Sequence, residues 1–462
     1  MVRLFRHYVP RFILIIGAVE GAILFAAFYL GVAVQWPQHS APGKLAIPLE
    51  KAGLYTLIMM SLLAAMGLYE RGLRAQLPGV LLRVGLGFMM GMLFMLSLVT
   101  VQPQALIADS ALFTALIISG IGVLITRTAF YHFAEKDSFK RRIMVLGAGE
   151  LATQFERLRR RSDWQGNLLV GYLPAAGEAH RVNANKILVR QGTLLETANR
   201  YGIDEIVVAL KEPEKSSLMG ELLDCKMSGI QVLEIATFFE QITGKIKLEA
   251  LNPYAMVFAD GFVQALRRGL VHRAFDAVMS LIFLMLTLPV MAITALAILL
   301  ESGGRGPIFY KQVRMGRHGC PFQILKFRSM QVDAEKDGPR WAGRNDSRVT
   351  HVGGFIRRTR IDELPQLLNV LKGEMSFVGP RPERPEFVAM LSEHIPYYAL
   401  RHCVNPGLTG WAQIRYPYGS SEDDAKEKLQ YDLYYVKNYS LFLDLTILLQ
   451  TAQVVLWGKG AK

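Results

Sequence analysis

Three features of the sequence predict a membrane protein of mixed α and α/β class. Hydrophobic residues make up 51% of the chain and lie in long runs, which is unusual for a soluble protein. A glycine-rich turn follows a short apolar strand near residue 147. An arginine-rich segment with an acid pair follows the last long apolar run. We therefore expect a four-helix transmembrane bundle at residues 1–134 and a Rossmann-like α/β domain at 135–250. A linker at 251–265 then leads to a C-terminal α+β domain with a re-entrant membrane helix at 266–462.

The N-terminal part contains four apolar runs that approach the roughly 20 residues needed to cross a bilayer. They are Phe12–Trp36, Gly53–Tyr69, Val80–Val101 and Ala105–Thr126. Arginine and lysine residues are concentrated before the first run, between the second and third, and after the fourth. The positive-inside rule then places both ends of the bundle in the cytoplasm. The same charge asymmetry argues against the alternative, a soluble bundle of buried helices.

The pattern from residue 141 is that of an α/β domain, in which short apolar strands alternate with helical stretches. The strand at 143–146 leads into Gly147-Ala-Gly149, which opens a G-x-G-x-x-A motif. Such a loop would bind a dinucleotide through Gly147 and Gly149. The acid expected about 20 residues further on is not evident around Tyr172–Pro174, so a structural or regulatory role is the alternative.

A fifth apolar run at about 274–300 is interrupted by Pro289 and has basic residues on both sides. A single crossing would put one basic cluster outside, against the positive-inside bias. Proline removes a helix hydrogen bond, so the segment could bend back with both ends in the cytoplasm. We favour this re-entrant helix over a plain crossing.

The acid pair Asp362-Glu363 follows three arginines and precedes Pro365, a residue suited to the first turn of a helix. Carboxylates stay ionised at a helix N-terminus, and a phosphate can be held there. An ionised Asp is a competent nucleophile. Its repulsion from a diphosphate must be offset, for which the chain offers Arg357, Arg358, Arg360 and Arg381. The plainer alternative is a surface helix with ordinary capping acids.

Two further basic motifs suit phosphate binding. Lys326 and Arg328 alternate at the end of a predicted strand and would share one face of it. Arg381 lies between Pro380 and Pro382, which restrict its backbone before a ligand arrives. A solvated basic face and a simple connector are the respective alternatives.

The C-terminal region contains two residues whose environment is informative. Trp411 would lie either at the bilayer interface or in the protein core. Asp444 interrupts the apolar run 431–457, which therefore predicts helices packed on the membrane face rather than another crossing.

The net charge of +13 suggests an anionic partner. Since membrane segments are present, lipid headgroups and phosphorylated substrates are favoured over nucleic acid. Cys225, Cys320 and Cys403 are far apart and have no zinc or redox spacing, so we expect reduced structural thiols.

Several motifs together carry a family resemblance. They are the segments 326–330, 358–367, 373–383 and 406–411, with the sequences KFRSM, RTRIDELPQL, GEMSFVGPRPE and PGLTGW. Over residues 266–462 the chain closely resembles the bacterial polyprenyl-phosphate hexose-1-phosphate transferases, large monotopic phosphoglycosyl transferases that initiate exopolysaccharide and O-antigen synthesis. Members of that family have a re-entrant helix broken at a proline that often follows Ser, where this chain has Thr287-Leu-Pro289.

The resemblance implies an enzyme of the bacterial inner membrane with cytoplasmic N-terminus and catalytic domain. Asp362 would attack the β-phosphate of a UDP-hexose, release UMP and form a covalent phosphosugar, which undecaprenyl phosphate then accepts. Glu363 would act in acid/base chemistry or, with Asp362, in Mg²⁺ binding. The residues expected to bind phosphate are Lys326, Arg328, Arg360 and Arg381. A homo-oligomer and polysaccharide assembly proteins are further expected partners.

Two rival functions fit parts of the sequence. A membrane nucleotide-sugar dehydratase or epimerase would need a Tyr-x-x-x-Lys pair, which we do not find. A non-catalytic scaffold for polysaccharide assembly would not need the acid pair and its cations.

Overall fold

The structure is a computed structural model that describes residues 2–4, 7–9, 11–35, 49–69, 77–101, 109–134, 140–156, 158, 164, 166–175, 177–248, 262, 266–332, 348–416, 419 and 421–456. The chain forms two compact units, Tyr8–Gly244 and Lys245–Lys462, with the first seven residues divided between them. The predicted linker lies almost entirely outside the described residues, as do many of the basic residues used to orient the bundle. The predicted domain ranges stay predictions.

The helices are α1 Arg11–Gln35, α2 Leu49–Ala65, α3 Leu77–Val101, α4 Asp109–Ala134, α5 Thr153–Glu156, α6 Leu194–Arg200, α7 Glu212–Ser217, α8 Met219–Met227, α9 Ile235–Thr243, α10 Leu266–Glu301, α11 His351–Arg358, α12 Leu367–Lys372, α13 Pro385–His394, α14 Trp411–Arg415, α15 Glu422–Lys437 and α16 Leu441–Leu456. The strands are β1 Val2–Leu4, β2 His7–Val9, β3 Arg141–Leu146, β4 Asn167–Leu173, β5 Glu205–Val208, β6 Gln231–Glu234, β7 Phe309–Met315, β8 Pro321–Phe327, β9 Ser376–Val378 and β10 Gly407–Thr409.

Four described helices are long and apolar enough to cross a membrane, judged by length and composition only. Three belong to the predicted bundle, with spans Ile13–Val34 in α1, Gly79–Ser97 in α3 and Ala111–Phe130 in α4. The fourth is the segment Gly269–Glu301 of α10. The remaining bundle helix, α2, has only 17 residues and is shorter than the roughly 20 that a crossing needs. The membrane class is thereby supported.

The described part of the bundle contains a buried ion pair. Arg127 on α4 donates to Glu20 on α1 with Nη2 at 2.8 Å from Oε2, and its Nη1 donates to the carbonyl of Leu68 at 2.7 Å. The ring of Tyr69 lies 4.8 Å from the same guanidinium. Because buried charges are stable only when paired, this cluster fixes α1, α4 and the end of α2 against one another.

A parallel sheet with strand order β4-β3-β5-β6 forms the core of the α/β region. Alternate residues of β3 point to opposite faces, so Met144 and Leu146 pack against α6 and α8, whereas Ile143 and Val145 pack against α5 and α9. Helices therefore cover both faces, as a parallel sheet requires. This supports the α/β class, and the more specific Rossmann-like assignment stays a prediction.

The second unit is built around α12, α15 and α16, with the antiparallel pair β7–β8 and the parallel pair β9–β10 beside them. Trp411 is only 2% exposed and stacks on Tyr434 with 5.8 Å between ring centroids. It is a core aromatic, so the alternative position at the bilayer interface is wrong. Asp444 is also buried and points into this unit, where Tyr435 donates to it at 2.8 Å.

Helix α10 runs from Leu266 to Glu301 without interruption and contains Pro289. The hydroxyl of Thr287 donates to the carbonyl of Phe283 at 2.7 Å. Such back-bonding bends helices, and the proline lacks the N–H that would bond the carbonyl four residues before it. Large apolar side chains around this point are exposed, among them Leu286 at 69% and Ile293 at 69%.

Both ends of α10 contact the same unit. Near the start, Arg273 donates to the carbonyls of Val370 and Leu371 at the end of α12, and Asp276 accepts from Ser376 at 3.0 Å. At the other end, the carboxylate of Glu301 accepts from the backbone N–H of Val352 at 3.0 Å. The exposed apolar middle of α10 therefore lies between two ends that are fixed to one body. The re-entrant path of α10 stays a prediction.

Candidate active site

The acid pair is presented by a short 3-10 helix, Ile361–Gln366, that leads directly into α12. The chain reaches it from α11 through Arg360, whose φ of 60° turns the backbone sharply. Pro365 lies inside the 3-10 helix, two residues before α12 begins. The sequence thus predicted the helix and its proline, but the acids precede the α-helix by one tight 3-10 turn instead of opening it.

Glu363 is surrounded by three of the predicted phosphate-binding cations. Its Oε1 lies 3.1 Å from Lys326 Nζ, 3.1 Å from Arg381 Nη2 and 3.7 Å from Arg360 Nη1. Burial alone raises the pKa of this carboxyl, but the cations outweigh burial and hold its pKa far below the ordinary value. Glu363 is therefore ionised, and its negative charge gathers three positive ones at one point.

Asp362 is 8% exposed and its environment differs from that of its neighbour. Among the described residues, no hydrogen-bond donor reaches its Oδ1, although that atom is buried. Burial and the adjacent charge of Glu363 raise the pKa of Asp362, while Lys326, Arg360 and Arg357 lower it to a smaller extent. A buried carboxylate oxygen without a partner is costly, which marks it as a site for a ligand or a reaction.

The turn that carries Arg381 is fixed by its backbone carbonyls. Four successive carbonyl oxygens each accept a hydrogen bond, in the order Pro380 from the N–H of Gly407 at 3.0 Å, Arg381 from Arg401 at 3.0 Å, Pro382 from Arg314 at 3.2 Å and Glu383 from the N–H of Met315 at 2.9 Å. These bonds hold the backbone of the turn in place, and the side chain of Arg381 extends from it to Glu363.

Arg401, which donates to the carbonyl of Arg381, is a buried arginine. It forms an ion pair with Asp432 on α15 at 2.9 Å and donates to the hydroxyl of Tyr398 at 2.7 Å. A buried arginine needs such partners, because an unpaired buried charge is expensive. Sequence reasoning overlooked Arg401, and its only signal was its place in the turn-rich segment that also holds Trp411.

Two predicted site residues lie apart from the cluster around Glu363. Arg328 follows the end of β8, and its guanidinium donates to the carbonyl of Arg305 at 3.4 Å. Pro289 lies within α10. Lys326, Arg360 and Arg381 are brought together as expected, whereas Arg328 contacts the chain segment that follows α10.

The glycine motif lies in the other unit, in the turn after β3. Its backbone N–H groups at Ala148 and Gly149 donate to the carboxylate of Glu178 at 2.8 Å and 2.7 Å. Sequence reasoning looked for an acid near Tyr172–Pro174 and missed this one, which lies a few residues beyond the end of β4. Cofactor binding at Gly147 and Gly149 stays a prediction.

The residues of the acid pair fit Mg²⁺ unequally. Among the described residues, no cluster of three or more His, Cys, Asp or Glu side chains is arranged to hold a metal. Mg²⁺, however, commonly uses one or two carboxylates and completes its shell with water and substrate phosphate. Asp362 fits this need through its unpartnered oxygen. Glu363 fits less well, because its Oε1 already contacts three cations.

The acid pair and the three cations around Glu363 thus lie in the unit that also contains the membrane-length helix α10. Comparison with known proteins identifies the family. The model for bacterial sugar transferases matches residues 267–458. A UDP-N-acetylgalactosamine-undecaprenyl-phosphate N-acetylgalactosaminephosphotransferase of Aeromonas hydrophila is 40% identical over 57% of this chain and 61% of its own length. The chain thus spans less than two thirds of that relative.

Two UDP-glucose:undecaprenyl-phosphate glucose-1-phosphate transferases are also similar. The one from Xanthomonas campestris is 32% identical over 69% of this chain and 67% of its own length. The one from Caulobacter vibrioides is 44% identical over 41% of this chain and 71% of its own length. The chain belongs to the bacterial sugar transferase family.

Proposed function

We propose that this protein transfers a hexose-1-phosphate from a UDP-sugar to undecaprenyl phosphate, with Asp362 as nucleophile and UMP as the first product. The observation that carries the proposal is the buried, unpartnered Oδ1 of Asp362 beside a carboxylate that gathers three cations. The names of the relatives support a sugar-phosphate donor and an undecaprenyl-phosphate acceptor.

The first step is displacement at phosphorus. A carboxylate oxygen of Asp362 bonds to the β-phosphorus of the UDP-sugar, and the bond from that phosphorus to the bridging oxygen breaks. The electron pair leaves with UMP, and the sugar phosphate stays on the aspartate as an acyl phosphate. The raised pKa of Asp362 makes its carboxylate more basic than that of an ordinary Asp, which favours attack.

The second step reverses the first with a new acceptor. A phosphate oxygen of undecaprenyl phosphate attacks the same phosphorus, and the bond to Asp362 breaks. The products are undecaprenyl-diphosphate-hexose and a regenerated carboxylate. Both steps take place at the same phosphorus, with Asp362 as the nucleophile in the first step and the leaving group in the second, so a single set of cations serves both.

Lys326 and Arg381 are the residues best placed to receive the donor phosphates. Both contact Glu363 Oε1 at 3.1 Å, so a phosphate that enters must share or replace that carboxylate. Burial lowers the pKa of Lys326 while Glu363 opposes the change, so the pair stabilises the charged lysine before substrate arrives. Mg²⁺ bound at Asp362 would neutralise part of the diphosphate charge.

The path of α10 bears on the side of the membrane at which the reaction occurs. The two ends of this helix are fixed to one unit, which favours a re-entrant helix that bends at Pro289 over a full crossing. The donor is a cytoplasmic nucleotide sugar and the acceptor a membrane lipid. We therefore place the catalytic unit on the cytoplasmic face of the bacterial inner membrane, at the first membrane step of exopolysaccharide or O-antigen synthesis.

The test is UMP release from a panel of UDP-sugars by the full-length protein in nanodiscs, with Mg²⁺ and undecaprenyl phosphate. We expect release from one sugar and its loss in Asp362→Asn, which keeps the size of the side chain but is no nucleophile. Asp423→Asn, at an acid in the first turn of α15, is the matched control and should behave as wild type. No release by folded wild-type protein, or full activity of Asp362→Asn, would favour a non-catalytic scaffold.

A further inference from the structure

A buried asparagine connects the strand that carries Lys326 to the helix that follows the acid pair. Asn369 lies on α12 and is only 3% exposed. Its Oδ1 accepts from the backbone N–H of Leu325 at 3.0 Å, and its Nδ2 donates to the carbonyl of Gln323 at 2.8 Å. The side-chain amide thus bonds β8 as a neighbouring strand would, one residue before Lys326.

The amide is satisfied on its remaining side as well. Nδ2 also donates to Glu374 Oε2 at 2.7 Å, and Glu374 lies two residues after α12 ends at Lys372. Asparagine supplies one acceptor and two donors, and all three positions are used here. Because a fully satisfied buried amide has one favourable orientation, it fixes the position of β8 along α12.

This connection closes a ring of contacts around the acid pair. Lys326 contacts Glu363 at 3.1 Å, the 3-10 helix of Glu363 continues into α12, and Asn369 on α12 bonds the residue before Lys326. We infer that Asn369 is a positioning residue that sets the distance of the Lys326 ammonium from the acid pair. The inference rests on the proposed phosphotransfer, in which Lys326 binds donor phosphate.

The experiment compares Asn369→Ala and Asn369→Asp with the control Asn405→Ala. Aspartate keeps the acceptor for the N–H of Leu325 but loses both donors. Asn405 is half-buried and makes one longer bond, to the carbonyl of Gly373 at 3.3 Å. We expect kcat to fall by roughly 10- to 100-fold in both Asn369 variants, as for a misplaced catalytic group, and to change little in Asn405→Ala.

A double-mutant cycle with Lys326→Arg separates positioning from a general loss of packing. If Asn369 acts through Lys326, the losses of Asn369→Ala and Lys326→Arg combine to less than their product. Multiplicative losses, wild-type kcat in folded variants, or unfolding of both Asn369 variants would overturn the inference. If wild-type protein itself releases no UMP, the proposed function fails first, so the two failures are distinguishable.

An independent observation concerns the glycine motif after β3. The Glu178 carboxylate accepts from the N–H groups of Ala148, Gly149 and Ala175 at 2.8, 2.7 and 3.2 Å. A dinucleotide fingerprint uses such N–H groups for its pyrophosphate. Here an acidic side chain of the protein already satisfies them.

Both glycines have reasons within the fold. A Cβ on Gly149 would lie 2.5 Å from Glu178 Oε1. Gly147 has a φ of +119°, and a Cβ there would lie 2.6 Å from the carbonyl oxygen of Ala209. The motif is thus explained by close approaches inside the domain. We propose that Glu178 is the internal ligand of this loop and that the loop does not take a dinucleotide.

A stability cycle on the full-length protein tests this. Gly149→Ala should force Glu178 out of its hydrogen bonds and thereby lower the unfolding temperature. In a Glu178→Ala background the same substitution should cost much less. Equal costs in both backgrounds would overturn the proposal, as would calorimetric binding of NAD⁺ to wild-type protein. Gly220→Ala on α8 is the control, since a Cβ there would meet nothing within 4 Å and the substitution should have the same effect in both backgrounds.

Discussion

Asp362 and Glu363 are neighbours in sequence, yet their surroundings move their pKa values in opposite directions. Burial and the charge of Glu363 raise the pKa of Asp362, whereas Lys326, Arg381 and Arg360 lower the pKa of Glu363 despite its burial. Paired groups with separated pKa values are how a site assigns different roles to the same residue type. In the proposed reaction Asp362, the attacking carboxylate, is the more basic one, and Glu363 orders the cations.

We predict opposite pH shifts from two substitutions near Asp362. The reaction needs ionised Asp362, so activity falls as the pH drops through its raised pKa. Glu363→Gln removes a negative charge and should move this acidic limb to lower pH. Arg360→Gln removes a positive charge and should move it to higher pH, by less, because Arg360 is about half exposed. The measurement is UMP release against pH in each variant.

If the acidic limbs of Glu363→Gln and Arg360→Gln shifted in the same direction, this assignment of charges would be contradicted. Arg358→Gln serves as the control, because this arginine is at the end of α11 and its Nε donates to the carbonyl of Gly354. Its acidic limb should coincide with that of wild type.

Sequence reasoning at this scale found the charged residues but not the residues that place them. Asp362, Glu363, Lys326 and Arg381 were visible because their side chains carry the chemistry. Asn369 and Arg401 act through backbone atoms of other segments, and the residues that they contact are far away in sequence. One signal was available for Asn369, a polar residue in the otherwise apolar stretch of α12.

At the scale of elements, the turn 379–383 has a fixed backbone because its carbonyl oxygens accept hydrogen bonds from other segments. Four carbonyls in succession accept hydrogen bonds from three other segments. Prolines on either side of Arg381 already restrict the turn, and these bonds select one of the remaining conformations. The two prolines were evident from the sequence, whereas the bonds required the fold.

Arg401→Lys should weaken donor binding while preserving charge. Lysine keeps the ion pair with Asp432 but lacks the planar fork that also reaches the carbonyl of Arg381 and the hydroxyl of Tyr398. We expect about 1–3 kcal/mol lower stability and a higher KM for the UDP-sugar, because a buried acceptor loses its partner. Steady-state kinetics and thermal unfolding measure both. Arg358→Lys, at an exposed arginine, is the matched control, and an unchanged KM in Arg401→Lys would contradict the role.

Helix α10 makes a separate prediction about topology. If its ends lie on one side of the membrane, cysteines at exposed Gly269 and Arg305 should react with an impermeant maleimide from the same side of sealed vesicles. The three native cysteines would first be replaced by serine. Labelling from opposite sides would mean that α10 crosses the membrane. For a helix that crosses the membrane, Pro289→Ala should leave the labelling pattern unchanged. For a re-entrant helix that bends at this proline, the same substitution should change the labelling pattern.

At the scale of the whole molecule, the candidate site is contained in one compact unit. All the cations around Glu363, and both ends of α10, belong to Lys245–Lys462. The glycine loop and the buried Glu20–Arg127 pair belong to the other unit. Among the described residues, the side chains that contact Glu363 all come from this unit.

We predict that a fragment comprising residues 245–462 keeps UMP release within about tenfold of the full chain, since its kcat depends on contacts inside this unit. The matched variant is the same fragment with Asp362→Asn, which should be inactive. A folded fragment without activity would mean that the first unit contributes to catalysis.

The membrane runs and the α/β alternation were predictable at this scale, because hydrophobic patterns are local. The second run was already short in the sequence, and α2 is a helix of 17 residues whose bounds are shifted toward the N-terminus. The burial of Trp411 and Asp444 could not be predicted, because each depends on a residue or element distant in sequence.

The anchors of α10 also bear on the order of events during synthesis. Arg273 and Asp276 bond residues that follow them by 97 to 101 positions, and His272 contacts Asp444 further on still. When α10 leaves the ribosome, the groups that will satisfy these charges have not been made. Three polar residues near the start of an apolar helix therefore have no partners until these later segments emerge. The final placement of the start of α10 thus waits for the segment that contains Asp444 and depends on the folding of the unit Lys245–Lys462.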